Sequence, residues 1–106
     1  MILSKTPLRL SLGGGGTDLP SWYKDNGSFL ISATINKYIY VNVSFREYDK
    51  KIWLSYSKNE VVNNVNQIKN LYLKECLKYH DIKKGIEIHT ISDIPGNSGL
   101  GSSGAF

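Results

Sequence analysis

The sequence predicts a two-layer α+β fold in which an antiparallel-rich sheet is packed by helices. Three observations carry this. Apolar residues alternate at Leu8, Leu10 and Leu12 and again at Ile39, Val41, Val43 and Phe45, the period of half-buried strands. Ile68, Leu71, Tyr72, Cys76 and Tyr79 recur at helical spacing. Glycine clusters at 13–16 and 96–104 punctuate these runs.

In chain order, Met1–Leu12 reads as a first strand, with Arg9 and Ser11 on its polar face. Pro7 removes a donor and restricts pairing, so this strand is expected at a sheet edge or interrupted. Leu19–Asn26 reads as a short helix with Pro20 in its first turn and Gly27 as its stop, Trp22 and Tyr23 packing it on the sheet. Ser28–Ile35 and Tyr38–Arg46 read as strands joined by a tight turn at Asn36-Lys37, and Lys51–Tyr56 as the next strand of an antiparallel meander. Ser57–Asn66 is polar and reads as a loop. Gln67–His80 reads as a helix that covers the sheet and buries Cys76 as a small apolar group. Gly85 ends the connection, and Ile86–Ile91 forms a last strand feeding the second glycine cluster.

A chain of 106 residues makes at most one small domain with a modest core. The apolar fraction of 41% favours a folded chain. One cysteine excludes an internal disulfide framework and fits a reducing compartment. No 18-residue apolar run and no charged-then-apolar leader appears, so the expected location is the cytoplasm, without membrane partners. The net charge is +4, but 11 of the 13 basic residues are lysines scattered from Lys5 to Lys84, which disfavours a nucleic-acid face. His80 and His89 lack metal-ligand spacing and read as structural. A homo-oligomer is compatible with the sequence.

The segment Asp93–Phe106 holds four glycines within nine residues, which frees the backbone to turn tightly and to approach a ligand. Ser102 and Ser103 read as the opening of a helix. Successive N–H groups in such a turn form an anion-binding concavity, and a helix N-terminus adds about 0.3 to 1 kcal/mol for a nearby anion. A serine hydroxyl there is a candidate Mg²⁺ ligand. Gly96–Gly101 has Walker A glycine spacing, but Ser102 stands where lysine is required. Gly99, Gly101 and Gly104 satisfy G-x-G-x-x-G, a dinucleotide pattern whose acidic partner would lie past Phe106. The other cluster, Gly13–Gly16 followed by Thr17 and Asp18, spends more chain entropy than a simple turn needs, which points to close approach by backbone or ligand.

Pro95, three residues and then Gly99-Leu100-Gly101-Ser102-Ser103 resembles the nucleotide loop of the GHMP small-molecule kinases; Gly104 departs from the alanine common there. Thr6-Pro7-Leu8-Arg9-Leu10-Ser11-Leu12-Gly13-Gly14-Gly15-Gly16-Thr17-Asp18-Leu19-Pro20 is similar to the N-terminal motif of the heptose and fucose branch of that superfamily. The resemblance brackets nearly the whole chain. It implies the ribosomal-protein-like βαβ fold of GHMP N-terminal domains, with residues 1–106 as a truncated domain and the C-terminal domain lying outside this chain. It implies ATP and Mg²⁺ as cofactors and transfer of the γ-phosphate to a hydroxyl, the anomeric one foremost. The acceptor would be a sugar or sugar phosphate such as D-glycero-D-manno-heptose 7-phosphate.

By the same resemblance Pro95, Gly99, Leu100, Gly101, Ser102, Ser103 and Gly104 would hold the nucleotide, and Ser103 would ligate Mg²⁺. Gly14, Gly15, Gly16, Thr17 and Asp18 would hold the sugar, Asp18 through its hydroxyls, and Arg9 would lie beside the reacting hydroxyl. Family members place the acidic Mg²⁺ ligand, and the base where one exists, after the nucleotide loop, so the 106-residue chain alone is expected not to turn over. Three other classes make different predictions: a dinucleotide-dependent oxidoreductase, a basic nucleic-acid-binding module, and a kinase-derived interaction module without ligands.

Overall fold

A computed structural model describes residues 1–96 and 98–106, with the side chain of Ser103 outside the described set. The elements run β1 (Ile2–Gly13), α1 (Pro20–Asn26), β2 (Ile31–Phe45), β3 (Ile52–Ser55), β4 (Asn59–Val62), a 3₁₀ turn (Val65–Gln67), α2 (Leu71–Tyr79), β5 (Ile86–Ser92) and α3 (Ser102–Ala105). The strands form one five-stranded sheet in the order β1-β2-β5-β3-β4. β1 is an edge strand, the first of the two arrangements that Pro7 allowed, and it runs uninterrupted from Ile2 to Gly13. The chain divides into two compact units, one of Met1–Ser4 with Tyr40–Ile91 and one of Lys5–Ile39 with Ser92–Phe106.

The first unit holds the larger core. β3 pairs antiparallel with β4, Ile52 opposite Val62, and parallel with β5, Ile52 opposite Ile86 and Leu54 opposite Ile88. Ile52, Leu54, Ile86 and Ile88 are buried against Val65, Ile68, Leu73 and Leu77, with Val41, Val43, Val62 and Ile82 packed around them. A parallel pair needs a crossover, and the segment from β4 through α2 supplies it. The expected meander is therefore corrected: β5 stands between β2 and β3.

Three other expectations are corrected here. β2 is one continuous strand, because a two-residue type I′ turn needs positive φ at both central residues and neither Asn36 nor Lys37 has it. Within 57–66, the stretch read as loop, Asn59–Val62 forms β4 and turns Glu60 and Val62 partly inward. The buried face of α2 is Leu73 and Leu77, whereas Leu71, Tyr72, Cys76 and Tyr79 are exposed. The helix also starts later than expected, at Leu71, where Asn70 caps it, its side chain accepting from Leu73 N at 3.2 Å. Asn70→Ala removes that cap and is expected to cost about 1 kcal/mol, read from the denaturant midpoint.

Glu60 fixes the same helix entrance, accepting from Lys69 N at 2.8 Å, Asn70 N at 3.3 Å and Tyr56 Oη at 2.5 Å. Burial pushes the Glu60 carboxyl up, but these three hydrogen bonds outweigh it and hold it below its usual value. The Tyr56 phenol, donating to Glu60 and partly desolvated, is pushed up to about 12. In the same unit Arg46 forks onto Asp49, with Nη2 to Oδ2 at 2.8 Å and Nε to Oδ1 at 3.1 Å, and also donates to Glu87. Its guanidinium lies 4.6 Å from the Tyr48 ring centre and 4.5 Å from that of Trp53. Hydrogen bonding to Arg46 holds Asp49 below its usual value, and hydrogen bonds from His89 and Arg46 do the same for Glu87.

The signs follow by linkage. A carboxylate depressed in the folded state stabilises above its unfolded pKa, and that contribution is lost as pH falls through the folded value. Asp49, Glu60 and Glu87 therefore predict a falling Tm below about pH 5. A phenol raised in the folded state contributes fully below its unfolded pKa and loses that contribution as pH rises toward 12, so Tyr56 predicts a second, alkaline decline. Glu60→Gln should weaken the alkaline limb, checked by thermal melts from pH 3 to about 11.

The second unit has a much smaller core, with Leu8 and Ile39 as its buried apolar residues. Leu10 and Leu12, expected on the buried face of β1, are exposed, and α1 buries none of its residues. Trp22 and Tyr23 thus do not pack inward as expected. Phe45, the last of the β2 alternation, is also exposed.

Candidate active site

Both glycine segments belong to the second unit, so the residues of the candidate site are organised together. β1 delivers Arg9 and runs into Gly13. Gly14 has φ +78°, and a Cβ there would come 2.0 Å from the carbonyl oxygen of Phe29 and 2.9 Å from Leu30 Cα. Close backbone approach is therefore the structural demand behind this glycine. The next turns are closed by Thr17 N to Gly14 O at 3.1 Å and Leu19 N to Gly16 O at 3.3 Å, which lead into α1.

Thr17 ties this loop down. Its Oγ1 is 2.7 Å from Gly14 O, 3.1 Å from Phe29 O and 3.3 Å from Ser28 Oγ. One hydroxyl proton serves one carbonyl at a time, and Ser28 is able to donate the remaining bond. Thr17 is thus a fastener of the loop, and its neighbour Asp18 stands exposed. Gly27, at φ +72°, turns the chain after α1 and brings Ser28 and Phe29 back to the loop.

The second glycine segment is anchored at its start and near its end. Asp93 Oδ2 accepts from Tyr38 N at 2.9 Å, while Asp93 N donates to Tyr38 O at 3.0 Å. Further on, Arg9 N donates to Leu100 O at 3.1 Å. Gly99 and Gly101 both have φ +74°, and Gly101 stands at the N-cap position of α3. A Cβ on Gly101 would meet Arg9 Cγ at 3.1 Å and Nε at 3.2 Å, so the Arg9 side chain lies against this glycine. Arg9 therefore joins the two motifs through its backbone and its side chain. Among the described residues, no hydrogen bond joins Thr17 or Asp18 to the second segment.

The expected opening of a helix at Ser102 is present, α3 being four residues long. Pro95, Gly96, Gly99 and Gly104 are exposed, and Leu100, Gly101 and Ser102 are half-buried. Backbone N–H groups, serine hydroxyls and a guanidinium are a donor set suited to phosphate oxygens. The expected Mg²⁺ ligand, the Ser103 hydroxyl, lies outside the described residues. Among the described residues no group of three His, Cys, Asp or Glu side chains is placed to hold a metal. A lone serine hydroxyl leaves most of an octahedral Mg²⁺ shell to phosphate and water.

Sequence reasoning missed Asp93, Tyr38 and Ser28 as parts of this scaffold. Asp93, directly before Ile94-Pro95, had a readable signal as a turn-forming residue. Phe29, the neighbour that demands Gly14, had none, since a backbone carbonyl carries no sequence signature.

Comparison with known proteins agrees with this architecture. Residues 63–106, which include the second glycine segment, match the GHMP kinases N terminal domain. The D-glycero-alpha-D-manno-heptose 7-phosphate kinase of Campylobacter jejuni is 33% identical over 113 residues, covering 96% of this chain and 33% of that protein. A D-glycero-D-manno-heptose 1-phosphate kinase from Bacteroides thetaiotaomicron superposes with a TM-score of 0.81 at 26% identity, over 97% of this chain and 37% of the other. The mevalonate kinase of Methanococcus jannaschii, at 24% identity and a TM-score of 0.69 over 98% of this chain and 36% of its own, shares the fold.

The resemblance to the GHMP kinases is thus shown from sequence and from structure, and the fold is that of their N-terminal domain. The relatives most informative about a particular protein are heptose phosphate kinases. The chain spans about a third of the length of these relatives. The dinucleotide alternative is not favoured: β3 and β4 are antiparallel, and that fold needs a doubly wound parallel sheet. No helix among the described residues is long and apolar enough to cross a membrane.

Proposed function

We propose that this chain is the N-terminal part of an ATP-dependent sugar kinase. It would transfer the γ-phosphate to the anomeric hydroxyl of a sugar phosphate such as D-glycero-D-manno-heptose 7-phosphate. The observation that carries the proposal is Arg9, which reaches from the first motif onto Leu100 and Gly101 of the second. The heptose phosphate kinases among the relatives support the choice of acceptor. Their greater length supports a longer polypeptide that completes the site.

Phosphoryl transfer depends mainly on positioning and charge stabilisation. In this reading the loop from Pro95 to Gly104 cradles the nucleotide phosphates with its N–H groups, and Arg9 stabilises charge on the transferred group. Gly14, Gly15, Gly16 and Thr17 shape the acceptor side, and Asp18 accepts hydrogen bonds from sugar hydroxyls. The Ser103 hydroxyl would supply one ligand to Mg²⁺, which when bound would neutralise phosphate charge. In this reading the enzyme would act on small molecules in the cytoplasm.

The roles separate kinetically. In the full-length protein, Asp18→Ala should raise the sugar KM about tenfold or more with little change for ATP, because it loses a charged hydrogen-bond acceptor. Ser103→Ala should depress kcat and shift its Mg²⁺ dependence to higher concentration. Steady-state kinetics with each substrate varied in turn checks both. Loss of ATP affinity alone in Asp18→Ala contradicts the acceptor role, and unchanged Mg²⁺ dependence in Ser103→Ala removes the metal assignment.

A further inference from the structure

Resting on the kinase reading, we infer that a hollow beside α1, walled by Trp22 and Phe29, is a sugar-contact subsite for an uncharged, hydroxylated part of the acceptor. The hollow has a volume of about 400 Å³ and is lined by Thr17, Trp22, Asn26, Gly27, Ser28 and Phe29. Trp22 is 50% exposed and Phe29 76% exposed, so both rings offer apolar surface that folding leaves open to water. An aromatic face is a platform for the C–H-rich face of a sugar ring, and covering it removes that surface from water.

The polar groups of the lining fit hydroxyls. Asn26 donates through Nδ2 to Trp22 O at 3.2 Å, which orients the amide and leaves Oδ1 as an acceptor. Ser28 Oγ lies 3.3 Å from Thr17 Oγ1 and keeps further hydrogen-bonding capacity. No Lys, Arg, Asp or Glu lines the hollow, so nothing in it neutralises a phosphate or a carboxylate. The neutral part of a sugar phosphate matches it; the phosphate does not.

The hollow is also built into the acceptor loop. Thr17 binds the wall at Phe29 O, and Gly14 packs directly on the Phe29 carbonyl. The residue after Thr17 is Asp18, the carboxylate assigned above to sugar hydroxyls. A ligand held in the hollow is therefore beside the segment that presents Asp18.

The test compares Trp22→Ala with Trp22→Phe in the full-length protein, using D-glycero-D-manno-heptose 7-phosphate as the probe. Two readouts are taken: equilibrium binding of the sugar without nucleotide, and steady-state kinetics. Trp22→Ala is expected to weaken sugar binding and raise the sugar KM about tenfold, as loss of an aromatic contact predicts, with the ATP KM within about twofold. Trp22→Phe should recover most of the loss, because it keeps a flat apolar face. Unchanged sugar affinity in Trp22→Ala, or an effect confined to ATP, overturns the subsite while leaving the kinase reading intact. Sugar binding that Trp22→Ala weakens in a protein without phosphoryl transfer keeps the subsite and overturns the kinase reading. No sugar binding by the unmodified protein overturns both.

Discussion

Gly14→Ala is expected to be the most damaging single methyl in this chain. Its Cβ would be placed 2.0 Å from the Phe29 carbonyl oxygen, a contact that neither rotamer change nor side-chain adjustment relieves, since both partners are backbone. The residue also keeps φ +78°, which costs a non-glycine residue about 1 to 3 kcal/mol before any clash. Relief requires the loop to move off residues 29 and 30, and that breaks the Thr17 bond to Phe29 O. Two neighbours provide the scale. Gly16, at φ +92° with nothing within 4 Å of its Cβ position, should show the strain without the clash. Gly13, with neither feature, should tolerate alanine with little effect. Thermal melts should therefore rank the losses Gly14→Ala, Gly16→Ala, Gly13→Ala, with roughly 4 to 8 °C for each kcal/mol in a domain of this size. Equal losses for the first two would show that close approach is not what demands Gly14.

Arg9→Ala should leave the fold and remove the activity of the full-length protein. The backbone bond from residue 9 to Leu100 O survives any substitution other than proline, so the second glycine segment stays docked. The side chain is exposed, and its removal opens no core cavity. What disappears is the guanidinium beside Gly101, and with it charge stabilisation worth about 10² to 10³ in kcat. Arg9→Lys should recover part of this, because lysine restores charge without the planar fork. Kinetics measured alongside Tm decides the matter. A kcat within about threefold of the parent would remove Arg9 from the transfer step. A collapse of Tm would make its role structural.

Local signals were readable in the sequence, and long-range ones were not. Pro20 and Gly27 bracket α1 because a proline at a helix start and a positive-φ glycine at its end act within a few residues. Pro7 narrowed the first strand to an edge or an interruption for a similarly local reason, and the edge is what the sheet shows. The glycines of both segments were visible, but the partners that require them were not: Gly14 answers to Phe29 and Gly101 to Arg9, distant in sequence. The insertion of β5 between β2 and β3 has no local signature either, since parallel partners are chosen by the whole sheet. The start of α2 was misplaced because Glu60, nine and ten residues from the N–H groups it binds, helps set where the helix begins. The bond from Arg46 to Glu87 was invisible for the same reason, the two lying 41 residues apart.

Phosphorus NMR of the full-length protein with Mg-ATP and D-glycero-D-manno-heptose 7-phosphate tests the central claim most directly. The account predicts stoichiometric conversion of ATP to ADP and a new phosphomonoester whose phosphorus couples to the anomeric proton of the sugar. ATP left unconsumed in the presence of that acceptor, or consumed without a new sugar phosphate, would contradict it.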